Sequence, residues 1–199
     1  MKRLLFIPLL FSLLFAIPEA KAQVLNLQLQ AGHEMKIDGS ANVRSWDADV
    51  KNINASVRMI NFDFESIENL LPEHFQTMRL TIPVRNIESD SGRLTDNLQG
   101  YLKGDEYPVI RFTLNEVESI EYEDGQAVIT AKGTVNAAGV DHQTTMVVNA
   151  SLDGDTITFT GAQDLLMTNF NIDPPTAVMG TIRARDEITI SYTVTFVKS

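Results

Sequence analysis

The sequence predicts an all-β protein: an antiparallel β-barrel of about eight strands, interrupted by one short helical excursion. Three observations predict it. Apolar and polar residues alternate with period two along most of the chain, as half-buried strands require. Asp124-Gly125 and Asp153-Gly154 fall between alternating runs and read as hairpin turns. No strand–helix–strand spacing of the kind that builds parallel sheets appears. So many consecutive strands close on themselves or fold into two layers, because open edges invite aggregation.

In chain order, residues 1–22 read as a leader. Lys2 and Arg3 open it, Leu4 to Ile17 is an apolar run broken by Pro8 and Ser12, and Ala20-Lys21-Ala22 supplies the small-x-small pattern read by signal peptidase. The apolar run is short of the ~20 residues that span a bilayer. Cleavage between Ala22 and Gln23 is therefore expected, giving a periplasmic or secreted protein without stable membrane insertion. Residues 23–199 then form one domain, with no repeat, linker or low-complexity stretch.

The strands follow. Leu25, Leu27 and Leu29 alternate with polar residues, as do Ala55, Val57 and Met59, after which the register shifts to Ile60, Phe62 and Phe64. Met78, Leu80, Ile82 and Val84 continue the pattern, then Ile110, Phe112 and Leu114, then Met146, Val148, Ala150 and Leu152. Ile157 and Phe159, and Ile188, Ile190, Tyr192, Val194 and Phe196, complete it. Between them, Ser91 caps a helix in which Leu94, Leu98, Tyr101 and Leu102 share a stripe, with Gly104 placed to end it. Ile67 to Phe75, containing Pro72, reads as a short helical turn or an irregular loop. Asp173-Pro174-Pro175-Thr176 lacks the donors a ladder needs and reads as a rim loop.

Composition excludes more than it selects. With no cysteine the exported domain has neither disulfides nor thiol chemistry, and core burial must hold it together. Removing the leader, with its three cations and one anion, takes the formal charge from −10 to −12. Such a body repels nucleic acid. His33, His74 and His142 are scattered outside any metal-binding spacing and read as exposed loop residues. There is no GxSxG elbow and no glycine-rich phosphate loop. Asp47, Asp49, Glu121, Glu123 and Asp124 fall on exposed strand faces and a hairpin tip. No catalytic residues, metal site or cofactor are expected.

What remains is apolar. An eight-stranded barrel is either filled by its own side chains or just wide enough for one slender ligand, and the pattern leaves both open. If hollow, its lining is read as Phe62, Leu80, Ile82, Phe112, Val148, Phe159, Ile190 and Tyr192. Trp46, the sole tryptophan, either plugs one end of the barrel or stands at the cavity mouth.

Five segments, in order, carry a resemblance. They are G-S-A-N-V-R-S-W at 39–46, L-T-I-P-V-R-N-I-E-S at 80–89, L-K-G-D-E-Y-P-V-I-R-F at 102–112, G-T-V-N-A-A-G-V at 133–140 and F-N-I-D-P-P-T-A-V-M-G-T-I at 170–182. Together they resemble the YceI-like family of lipid- and polyisoprenoid-binding proteins of bacterial envelopes. The resemblance spans nearly the whole mature chain. It implies a lipocalin-like barrel with a helical excursion around an apolar channel. The implied ligands are quinones and isoprenoid alcohols or phosphates, and a carrier or scavenger role follows. Arg44-Ser45 before Trp46, and Asp141-His142 after Gly139-Val140, depart from the commoner family pattern near the rim. The alternative function is an envelope stress or interaction module with a packed barrel. The oligomeric state is not legible, and a homodimer is among the states left open.

Charge bears on the head group. Arg183 and Arg185, two apart on an extended segment, face one side and could grip a phosphate; Arg44, Arg79 and Arg85 are the other candidates. Against a body of −12, a neutral quinone or prenol head is expected over a diphosphate.

Overall fold

The computed structural model describes residues 22–177 and 179–198, so all of the leader except Ala22 lies outside the described residues. The predicted class is what forms. Eight antiparallel strands close a ring: β1 (Val24–Leu29), β4 (Asn54–Ile60), β5 (Phe75–Pro83), β7 (Val109–Glu123), β8 (Gln126–Ala137), β9 (Val140–Asp153), β10 (Thr156–Leu166) and β12 (Ile182–Lys198). Pairing of Leu29 with Phe196 and Leu27 with Lys198 joins the first strand to the last. Three shorter strands extend the wall from β12: β2 (Glu34–Ala41), β3 (Ser45–Val50) and β6 (Ile87–Glu88). β11 (Thr176–Ala177) pairs with the start of β12.

Two architectural halves result, because β12 changes partner along its length. Its C-terminal end pairs with β1, and from Thr193 back to Ala184 it pairs with β2. In the lower half the eight-strand ring is continuous, and its inward side chains meet. Leu25, Leu27, Val57, Met59, Ala127, Ala150, Ile157, Val194 and Phe196 are all buried there. Eight strands leave room for little more than their own side chains. The Ile67–Asn69 and Pro72–His74 turns close this end, and the Tyr122 hydroxyl donates to the Leu70 carbonyl beneath it.

In the upper half the wall is made of broken strands and two stretches of ladder are missing. β6 forms no pairs with β7, and helix α1 (Gly92–Tyr101) packs against β6 there. β9 and β10 pair only from Asp153/Thr156 to Val148/Gly161. Beyond that point β9 stays with β8 and β10 with β12, and the 3₁₀ turn Met167–Phe170 packs against both strands. This upper half is hollow.

Local chemistry explains the connections. Asp124-Gly125 takes positive φ at both residues (48° and 77°), the hairpin geometry its sequence predicts. The second hairpin loop is Gly154-Asp155, one residue later than expected, since Asp153 already pairs with Thr156. Helix α1 starts as predicted, with the Ser91 hydroxyl accepting from the Leu94 N–H at 3.4 Å. Its end differs. Lys103, at φ 53°, takes the left-handed position, and the Lys103 and Gly104 N–H groups return to the Gly100 and Gln99 carbonyls. Gly104 is needed instead for close approach: a Cβ there would lie 2.9 Å from Val84 Cγ1. Ser91→Ala should cost about 1 kcal/mol in urea denaturation, leaving the barrel's ladders unchanged by amide exchange.

The run read through Ile60, Phe62 and Phe64 does not continue as strand. Asn61 and Phe64 take φ of 55° and 61°, so the chain folds under the floor. The histidines are also placed differently from expectation. None is a fully exposed loop residue, and His142 stands on β9 with its ring edge-on to Phe170 at 5.7 Å. His74 Nδ1 accepts from the Leu71 N–H at 3.1 Å. His33 Nε2 is buried without a hydrogen-bond partner.

Candidate functional site

The upper half of the barrel encloses an apolar cavity of about 230 Å³. Of the nine side chains singled out in the sequence, eight line it. Leu80 and Ile82 come from β5, Phe112 from β7 and Val148 from β9. Phe159 comes from β10, Ile190 and Tyr192 from β12, and Trp46 from β3. The ninth, Phe62, is elsewhere. It lies in the segment after β4, 1% exposed, with its ring 4.7 Å from Phe64 and 5.7 Å from His74.

Glycines keep the space open. A Cβ added at Gly39 would lie 2.1 Å from Trp46 Cζ2, and one at Gly133 would lie 2.1 Å from Phe112 Cε2. At Gly161 it would meet the Tyr192 hydroxyl at 2.6 Å. Gly39 pairs directly with Trp46 and Gly161 with Tyr192, whereas Gly133 is diagonal to Phe112. In each pair the ring lies flat on a neighbouring strand at the one residue with no side chain to obstruct it. Three large rings thus form wall and leave the centre empty. The cue was present in the sequence, as glycines at inward positions of alternating strands.

The α1 stripe contributes Leu98, Tyr101 and Leu102 to the upper lining, and the rim loop contributes Ile172 and Pro175. Tyr101 is 41% exposed, so the cavity reaches the surface beside α1. Polar side chains on the lining are few: Gln163, Tyr101, Tyr192 and Trp46. Burial pushes the Tyr192 phenol up to about 12, which keeps it a neutral donor throughout the physiological range. Its folded value stands above the unfolded value of ~10, so this stabilisation is present below pH ~10 and lost as pH rises through about 12. Tyr192→Phe should therefore flatten the loss of stability between about pH 10 and 12, measured by urea denaturation. A parallel decline in both proteins would show that Tyr192 titrates as in the unfolded chain.

Outside the cavity the strands carry charge. Lys36 pairs with Asp47 at 3.0 Å and Lys51 with Asp49 at 2.7 Å, both in solvent. Arg183 and Arg185 are exposed on β12, and Arg183 Nε donates to the Gly180 carbonyl at 3.0 Å. No group of three or more metal-ligating side chains occurs among the described residues. No described helix is long and apolar enough to cross a membrane.

The profile of the YceI-like domain matches residues 28–196. The chain belongs to the YceI-like domain family. Solved structures share the fold. BcnA of Burkholderia cenocepacia superposes with a TM-score of 0.59 at 19% identity, covering 82% of this chain and 95% of its own. A polyisoprenoid-binding domain from Saccharophagus degradans, implicated in plant cell wall breakdown, gives 0.62 at 10% identity, covering 88% and 98%. The YCEI protein of Campylobacter jejuni gives 0.56 at 20% identity, covering 76% and 84%. A comparison with curated proteins finds no match. This YceI-like domain therefore shares its overall fold with those structures.

Proposed function

We propose that this chain is an exported, non-enzymatic carrier or scavenger that holds an isoprenoid lipid, of quinone or polyprenol type, inside the barrel. The observation that carries this reading is the hollow upper half. Its lining is almost wholly hydrocarbon and aromatic, with three aromatic rings laid against the wall so that the centre stays open. A packed interaction module has no use for such space, since an unfilled interior forfeits dispersion contacts. The leader pattern supports export, and the naming of one fold neighbour as polyisoprenoid-binding supports the ligand class. Dedicated catalytic groups have no place in the reading, as the polar side chains on the lining are one amide, two phenols and an indole.

The head is neutral in this account. Arg183 and Arg185 point into solvent, and an anionic head would meet a body of strongly negative formal charge. Native mass spectrometry of protein purified from its own host's envelope should show a co-purifying isoprenoid, extractable into organic solvent. Prenyl alcohol should bind more tightly than its diphosphate at both low and high salt. A barrel that carries no lipid and takes up none overturns the function. Tighter diphosphate binding that weakens with salt, and that is lost in Arg183→Ala/Arg185→Ala, overturns the neutral head.

A further inference from the structure

The hollow half of the barrel ends on two rings that meet across it. Around the closed wall the strands run β1, β4, β5, β7, β8, β9, β10, β12, so β5 and β10 are four places apart among eight and stand opposite one another. Phe75 on β5 and Phe159 on β10 both line the cavity, and their ring centroids are 6.4 Å apart. At that separation two aromatic rings are in contact, so an apolar chain has no way between them. Below the pair the interior is filled. Phe159 pairs with Val194 across the β10–β12 ladder, and both line the cavity. The next inward pair toward the floor, Ile157 with Phe196, is 0% exposed and does not. Phe159 is braced from beneath by Phe196, the rings lying 5.9 Å apart at 69°.

The other end of the cavity reaches the surface beside half-exposed Tyr101. A ligand with one polar end keeps that end near water, since burying it in hydrocarbon is costly. Its tail end then points at the Phe75–Phe159 pair. The space between is short. An apolar cavity of about 150 Å³ accommodates one benzene, about 25 Å³ per carbon, so about 230 Å³ holds about nine carbons, close to two isoprene units.

We infer that Phe75 and Phe159 are specificity-determining residues that act as a tail-length stop: they halt the far end of a prenyl chain and limit the enclosed part to about two isoprene units. The inference rests on the lipid-binding reading above and narrows it from the head group to the tail. Each unit taken inside removes apolar surface from water, whereas units left outside stay hydrated as they were before binding and add little. Affinity therefore climbs with tail length only until the stop is reached.

The test uses alcohols of one, two, three and four isoprene units: prenol, geraniol, farnesol and geranylgeraniol. Binding is read from the fluorescence of Trp46, the only tryptophan and a lining residue. In the wild type, affinity should rise at least about tenfold from prenol to geraniol and change by less than about threefold from geraniol to geranylgeraniol. Phe159→Ala removes one ring, close to an isoprene unit in size, so farnesol should then bind at least about fivefold more tightly than geraniol. Phe75→Ala should move the limit in the same direction from the opposite wall. It leaves the Phe159–Phe196 contact intact, and so serves if Phe159→Ala does not fold. A geraniol analogue with a diazirine at its far end locates the tail in the wild type directly, and should label β5 or β10 beside Phe75 or Phe159. A wild-type affinity that keeps climbing steeply to geranylgeraniol, a length profile unchanged in the folded variants, or labelling of α1 instead overturns the stop and leaves the lipid reading standing. Failure to bind any of the four alcohols overturns both.

Discussion

Gly133→Val is expected to abolish lipid uptake while leaving a folded barrel. A Cβ at this position would lie 2.1 Å from one Phe112 ring carbon and 2.6 Å from another, so the ring cannot stay on the wall. Its only free direction is inward, where it takes the space an apolar tail requires. Added bulk in a packed site typically costs 1–3 kcal/mol, so the variant should melt several degrees lower. Affinity for a prenyl alcohol should fall by at least about tenfold. The double variant Phe112→Ala/Gly133→Val gives the decisive comparison. Removing the displaced ring should restore binding, and its stability should exceed the sum of the two single changes, the coupling expected of groups in contact. Wild-type affinity in Gly133→Val would show that Phe112 already projects into the lumen.

Phe196→Ala should have the largest effect on stability and a small one on ligand. Phe196 is 0% exposed, sits where β12 meets β1, and presents its edge to Phe159 at 5.9 Å. Truncating a buried phenylalanine costs about 3–5 kcal/mol, against a total of roughly 5–15 kcal/mol for a domain. The urea midpoint should fall sharply at an unchanged slope. Phe196 does not line the cavity, so the fraction that folds should bind a prenyl alcohol as the wild type does. A loss under about 1 kcal/mol would mean that the floor repacks, and that the lower half is less tightly fitted than its burial implies.

How far the sequence could be read depended on whether a feature was local. Period-two alternation is local, and it put Leu80, Ile82, Phe112, Val148, Phe159, Ile190 and Tyr192 on inward faces that the fold brings round one cavity. Phe62 was misplaced because the same alternation was followed past Asn61, whose left-handed backbone ends β4. The helix stripe Leu94, Leu98, Tyr101 and Leu102 was legible as a helix but not as part of the lining. Where an amphipathic face packs is decided by the missing β6–β7 ladder, a pairing between distant segments. The same holds for Gln163 and Thr144, 19 residues apart, which meet only because two adjacent strands part company. The glycines were visible all along. Gly39, Gly133 and Gly161 occupy positions that alternation assigns to the interior, and an inward glycine near an aromatic partner distinguishes hollow wall from packed core.

The empty upper chamber has a thermodynamic consequence for the chain's lifetime. Unfilled apolar space costs about 24 cal/mol per Å³, so a cavity of about 230 Å³ withholds on the order of 5 kcal/mol from the unoccupied fold. That is comparable to the whole margin of a marginal domain. Any apolar occupant that binds the native chain and not the unfolded one restores it by mass action, in proportion to the logarithm of its concentration over its dissociation constant. Occupancy and persistence then become one variable. On the proposed lipid-binding function, a loaded molecule should resist proteolysis and an unloaded one turn over faster, so that the standing amount of the protein would follow the supply of its ligand.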